Sequence, residues 1–252
     1  MAWLSPRSAC ALAAAAVALA AGAGILLAVA GPGHRWGWWG ARVALAALKW
    51  TLLAALVAAL LGVIALVAGA LGGGRAAVLG GAAAIAIAVA TLWLPLGMFR
   101  VARTVPRIHD ITTDTERPPA FVAVLARRRD AMNPPEYGGP DVAAKQRSGY
   151  PDLAPAELAA PPARALTAAA DAARALGWEI VAEVPAEGRL EATDTTAWWG
   201  FKDDVVVRVA PRGGGSVVDV RSTSRVGISD LGVNARRIRR FLAELRSRAS
   251  RP

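Results

Sequence analysis

The chain has 252 residues, 55% of them apolar, and a formal net charge of +10. Its single cysteine, Cys10, excludes an intramolecular disulfide and every multi-cysteine metal centre. The two histidines, His34 and His109, lie too far apart in the chain to suggest a conventional zinc site, so neither metal nor cofactor is expected.

No aspartate or glutamate precedes Asp110, and that acid-free stretch holds three long runs of Ala, Leu, Val, Ile and Gly: Ala11 to Gly31, Val43 to Gly72 and Ala76 to Leu94. Each is long enough to cross a bilayer core of roughly 30 Å. Backbone groups in hydrocarbon must be satisfied internally, so the runs are predicted to be transmembrane helices. Trp36, Trp38, Trp39, Trp50 and Trp93 stand near their ends, where amphipathic rings favour head-group depth. A cleaved signal peptide is the rival reading of the first run, but its uncharged stretch is longer than a usual signal core. Residues 1–100 are therefore read as a three-helix membrane anchor. Gly22, Gly24, Gly62, Gly69, Gly80 and Gly81 offer small surfaces for close helix packing, within a bundle or in a homo-oligomer.

Three crossings place the loop Gly31 to Arg42 and the C-terminal domain on one side. That side carries Arg35, Arg42, Lys49, Arg100, Arg103 and Arg107, so the positive-inside rule alone points it to the cytoplasm.

Residues 101–161 are rich in proline, including Pro118-Pro119, Pro134-Pro135 and Pro161-Pro162. These breakers predict a strap or linker with at most a short helix between Pro119 and Asp130. From 162 the pattern becomes regular. Leu166, Ala169, Ala173 and Leu176 recur at helical spacing, and Gly177 can end the helix. Trp178 to Val184 alternates, with Trp178, Ile180, Ala182 and Val184 assigned to one face; further strands are predicted over Arg189 to Thr196, Asp203 to Ala210 and Ser216 to Ser224. Ser229 or Asp230 can cap a last helix with an apolar stripe of Leu231, Ile238, Phe241, Leu242 and Leu245. The predicted fold class is an α-helical membrane anchor plus an α+β domain over 162–252: a two-layer sandwich of a four-stranded antiparallel sheet and two helices. The second sheet face is expected to be open to solvent or ligand.

Separated motifs then appear in order: Ile108-His109-Asp110-Ile111-Thr112-Thr113-Asp114, Asn133-Pro134-Pro135-x-Tyr137, Gln146-x-x-x-Tyr150-Pro151, and Arg225-x-Gly227-x-Ser229-Asp230-x-Gly232-x-Asn234-x-x-Arg237-Ile238. Over about residues 106–245 the chain resembles the uncharacterised DUF1499 family (domain of unknown function 1499). The three-helix anchor lies outside the resemblance. The family's bacterial members with membrane anchors or lipoprotein signals imply a bacterial inner-membrane protein with an exported domain. The charge count implies the opposite side, and the resemblance tips the reading slightly toward the periplasm.

His109 and Asp110 are the candidates for proton chemistry, but neighbours on an extended segment point apart and form no dyad by adjacency. Ile108, Thr112, Thr113, Asp114, Gly227, Ser229, Asp230, Gly232 and Asn234 are read as structural motif residues, with His109 in a latch. Trp198, Trp199, Lys202 and Asp203, with Arg221 and Arg225, form a candidate ligand surface in which aromatics stack and charges orient. Asp203 and Asp204 start a strand on opposite faces and make a poor catalytic pair. Arg236, Arg237, Arg239 and Arg240 suit anionic lipid better than nucleic acid, for which no supporting motif exists. The partners expected are the lipid bilayer and an anionic lipid, glycan or envelope protein. The expected function is a membrane-anchored binding or structural module, not an enzyme. The alternative is a small hydrolase or transferase in which folding brings His109 beside Asp219 or Asp203.

Overall fold

The computed structural model describes residues 4–250; the outermost positions of the expected domains, 1–3 and 251–252, lie outside the described residues. Two compact units form, one from Met1–Arg100 with Ala197–Gly200, the other from Val101–Thr196 with Phe201–Pro252.

The first unit holds α1 (Pro6–Arg35), α2 (Ala41–Ala68) and α3 (Arg75–Ala102). All three are long and apolar enough to cross a membrane, their 18-residue apolar stretches having mean hydropathies of 2.4, 2.8 and 2.2. By that measure the chain is an integral membrane protein. Pro6 occupies the first turn of α1, and the Ser5 hydroxyl accepts from the Ser8 N–H at 3.2 Å, satisfying one of the orphan donors of the helix start. A short π-helical turn, Gly69–Gly73, ends α2. Gly72 and Gly74 take positive φ there, a conformation that L side chains rarely adopt.

Buried small residues set the helix packing. In α1 they are Ala9, Ala13, Ala16, Ala20 and Ala23, a stripe alternating by four and three. In α2 Ala55, Ala58, Gly62 and Ala65 repeat it, and in α3 Ala77, Gly81, Ala84 and Ala88 do so. A Cβ on Gly81 would lie 2.6 Å from the Gly62 carbonyl oxygen, so α2 and α3 touch backbone to backbone. The small surfaces are thus used inside one bundle, while Leu56, Leu60, Leu79 and Trp93 point outward.

The second unit is α+β. Its sheet contains β1 (Asp110–Thr112), β2 (Ala156–Leu158), β3 (Glu179–Val184), β4 (Arg189–Thr195), β5 (Lys202–Arg212) and β6 (Gly215–Ser224). The order is β1-β6-β5-β4-β3, all antiparallel, with β2 also on β6. The helices are α4 (Gly139–Gly149), α5 (Pro162–Ala175) and α6 (Val233–Ala249). One sheet face packs Leu190, Ala192, Val205, Val207, Val218 and Val220 against Leu166, Ala169 and Ala173 of α5 and Ile238, Phe241 and Leu245 of α6. Trp178 stacks on Phe241 with centroids 5.2 Å apart.

The expected two-layer sandwich of four strands and two helices does not form. The sheet has six strands, not four, and is not closed into a sandwich. The proline-rich stretch supplies the two additional strands, covering the edge of β6 that would otherwise leave unpaired N–H and C=O groups. The second face is not open either. Phe121 and Val124 pack on Val206 across it, and the short 3₁₀ turn Ala123–Arg127 stands where a helix was expected. The alternation assigned to β3 fails as well, because a bulge between Ile180 and Ala182 shifts the register against β4.

A charged layer under the strap and the cleft beside it

β5 and β6 alternate, so Asp204 and Arg208 of β5, and Asp219, Arg221 and Thr223 of β6 with Arg225 just beyond it, face the strap. Their partners come largely from the proline-rich stretch. Arg221 forms a bidentate pair with Asp110, Nε to Oδ1 at 2.9 Å and Nη2 to Oδ2 at 2.7 Å. It also donates to the carbonyls of Pro119 (3.2 Å) and Pro135 (2.7 Å). Its guanidinium lies 4.9 Å from the Phe121 ring centroid and 5.5 Å from that of Tyr137. Both charged side chains are almost fully buried, so planar, saturated donor geometry is what makes the pair tolerable.

The neighbouring charges are paired in the same way. Asp204 binds Arg128 and Arg225 and accepts from the Thr193 hydroxyl at 2.8 Å. Glu191, fully buried, accepts the N–H groups of Val122, Ala123 and Val124 at 2.9 to 3.2 Å and also binds Arg189. It thereby serves the donors that the start of the 3₁₀ turn leaves free. Arg208 joins Asp219 (2.7 Å) to Asp114 (2.9 Å). Burial pushes the Asp114 carboxyl up, but the N–H groups of Arg117 and Glu116 and the Arg208 guanidinium outweigh it and hold Asp114 below its ordinary value. At Asp110 burial prevails over Arg221, and the carboxyl is pushed up.

The motif residues meet on the opposite face and at its edge. The carbonyl of His109 accepts from Ser224 N–H at 3.0 Å and from Asn234 Nδ2 at 2.9 Å, while the Ile108 carbonyl accepts from the Asp230 N–H at 3.0 Å. Asp230 accepts the N–H groups of Gly232 (2.8 Å) and Asn234 (2.7 Å), but the N-cap of α6 is Gly232 and not Ser229 or Asp230 as expected. Burial nevertheless raises the pKa of Asp230. Asn133 Nδ2 donates to the carbonyls of Ser224 (2.9 Å) and Gly227 (2.8 Å). Gln146 of α4 accepts the Thr112 N–H at 2.9 Å and donates to the Thr112 carbonyl, so a side-chain amide completes the outer edge of β1.

His109 enters this latch through its backbone alone. Among the described residues its imidazole makes no hydrogen bond, and it lines a half-open cleft of about 340 Å³. Ile108, Pro134, Val142 and Ile228 supply apolar lining; Arg107, Glu136 and Lys145 supply charge. Asp110 reaches the same cleft, but its carboxylate is held by Arg221.

A family model described as a protein of unknown function (DUF1499) matches residues 110–245. The chain belongs to the DUF1499 family. No curated protein and no solved structure is found to match it. The DUF1499 match runs from the first residue of β1 into α6 and leaves the three apolar helices outside.

This DUF1499 domain disperses the residues of the expected ligand surface. Trp198 and Trp199 stand on the tip Ala197–Gly200, which groups with the first unit, and Lys202 is exposed at the start of β5. Asp203 faces the helices and pairs with Arg237 at 2.6 Å, whereas Arg221 and Arg225 face the strap. Asp203 and Asp204 do point to opposite faces. Asp219 and Asp203, the carboxylates considered as partners for His109, are each bound to an arginine instead. Among the described residues no group of three or more His, Cys, Asp or Glu side chains can hold a metal ion.

The basic residues of α6 divide too. Arg237 is buried between Asp194 and Asp203, Arg239 pairs with Asp152, Arg236 donates to the Leu231 carbonyl, and Arg240 lines a second cavity of about 230 Å³ with Trp178 and Arg236. Thr112 and Thr113 act locally, Thr112 Oγ1 contacting Asp114 and Thr113 Oγ1 donating to Asp219 at 3.4 Å. The Ser229 hydroxyl accepts the Leu231 N–H at 3.4 Å. Sequence reasoning missed Arg107, Lys145, Val142 and Ile228 as cleft residues. The available signal was the proline-rich motif immediately before α4.

Proposed function

We propose that this DUF1499 protein is a membrane-anchored binding module that offers the His109 cleft to a component of a bacterial envelope, on the exported side of the inner membrane. The observation carrying this reading is a contrast within the domain. Arg221, Asp204, Glu191 and Asp219 are committed to internal partners, whereas among the described residues the His109 imidazole, Arg107, Lys145 and Glu136 form no hydrogen bond or ion pair. Polar groups converging on a partly apolar concavity are the usual marks of a small-ligand site. Arg107 follows the end of α3 by five residues, which span at most about 18 Å. The tether therefore favours a ligand found at the membrane.

The test is a binding screen of the full-length protein in nanodiscs against lipids, glycans and envelope proteins, with Lys145→Glu as the cleft variant. Lys145 is exposed, so its replacement should leave stability within about 0.5 kcal/mol. Binding by the natural chain that this variant loses is the expected result. Uniform absence of binding, or binding indifferent to Lys145, overturns the reading.

A further inference from the structure

We infer that the ligand of the His109 cleft is an amphiphile with an anionic head, the head held by Arg107 and Lys145 and its alkyl part lying on Val142 and Ile228. This rests on the use of the cleft proposed above and names the chemistry of what enters it. Arg107 and Lys145 are both exposed and, among the described residues, unpaired, while Asp110 is neutralised by Arg221 and does not oppose an anion. Glu136 is the one other carboxylate lining the cleft and is outnumbered by the two cations.

The start of α4 adds to the same polarity. Gly138, its N-cap, lines the cleft and provides no side chain to bond the first N–H groups of the helix. Such a terminus carries partial positive charge, offset in part by Asp141 in its first turn. The cleft also has an apolar side. Ile228, 62% exposed on the loop before α6, lines it together with Val142 and Pro134. A volume of about 340 Å³ accepts a head group and a short length of chain, not a folded polypeptide. Cations beside an apolar cleft wall with Ile228 exposed on it match a lipid-like anion better than a free one.

The imidazole signals report occupancy, because the chain has only two histidines and His109→Asn assigns the one in the cleft. The full-length protein is held in dodecyl maltoside and titrated with dodecyl phosphate, dodecylphosphocholine or inorganic phosphate. Dodecyl phosphate is expected to shift the His109 signal, with affinity at least about tenfold above that of the Arg107→Gln/Lys145→Gln variant and of the Ile228→Asp variant. Equal binding of dodecylphosphocholine overturns the anionic head while leaving a ligand cleft in place. Equal binding of inorganic phosphate, unaffected at Ile228, overturns the amphiphile and leaves an anion site. If no probe moves the His109 signal the inference fails, and the nanodisc screen separately decides whether the cleft binds anything.

Discussion

Arg221 and Asp110 are separated by 111 positions in the chain and meet in the interior, where neither charge is tolerable without the other. Removing one partner is therefore worse than removing both. Asp110→Ala is expected to destabilise the full-length protein by about 3–5 kcal/mol, and the Asp110→Ala/Arg221→Met variant by less. Chemical unfolding in detergent measures both, and a double variant weaker than the single one contradicts this view of the layer. Asp114 gives the pH dependence. Its carboxyl is lowered in the folded state, so its stabilisation is complete above the ordinary aspartate range and is lost as pH falls through the depressed value. Asp110, Asp203 and Asp230 are raised by burial and oppose that loss, since protonation favours their folded state. Acidification should thus loosen the Asp114 turn before the domain unfolds. Hydrogen exchange at the amides of Glu116 and Arg117 should rise first, and simultaneous exposure of the β5 amides would refute the local release. At this scale the sequence was partly legible. Adjacent His109 and Asp110 both line the cleft, and the arginine that claims Asp110 is invisible to any local pattern.

The elements that were readable are those long enough to show a period. Strands β4 to β6 and helices α5 and α6 lie close to the segments predicted from alternation and helical spacing, because each buries one face against the common core, whereas β3 lies where expected without the expected alternation. The elements that were missed have no such period. β1 and β2 contain three residues each and exist because β6 offers them an edge. α4 carries little apolar surface, burying only Ala143 and Gln146. Gln146 nevertheless acts like a strand partner, and its loss leaves the Thr112 N–H and C=O buried without bonds. Gln146→Leu should cost about 2–4 kcal/mol, read from the melting of the full-length protein, with the added signature of faster exchange at the Thr112 amide. A loss below about 0.5 kcal/mol with unchanged exchange would mean that water replaces Gln146 without penalty. The open second face was misjudged for the same physical reason: proline keeps the regular elements of the strap short but does not prevent its backbone from pairing with Glu191, Arg221 and Arg225.

At the scale of the whole molecule, acid-free sequence and three apolar runs made the membrane anchor legible, since hydrocarbon permits few backbone solutions. Which side receives the domain is a separate matter, because Arg100, Arg103 and Arg107 draw it toward the cytoplasm while the exported relatives implied by the family draw it outward. The proposed role requires the cleft to lie on the exported side. Compartment-specific reporters fused in the Trp36 to Gly40 loop, at Gly73 and at Pro252, which lies outside the described residues, test that claim directly. The account predicts an exported signal at the loop and at Pro252 and a cytoplasmic signal at Gly73; a cytoplasmic signal at Pro252, or the same compartment at all three sites, would contradict it.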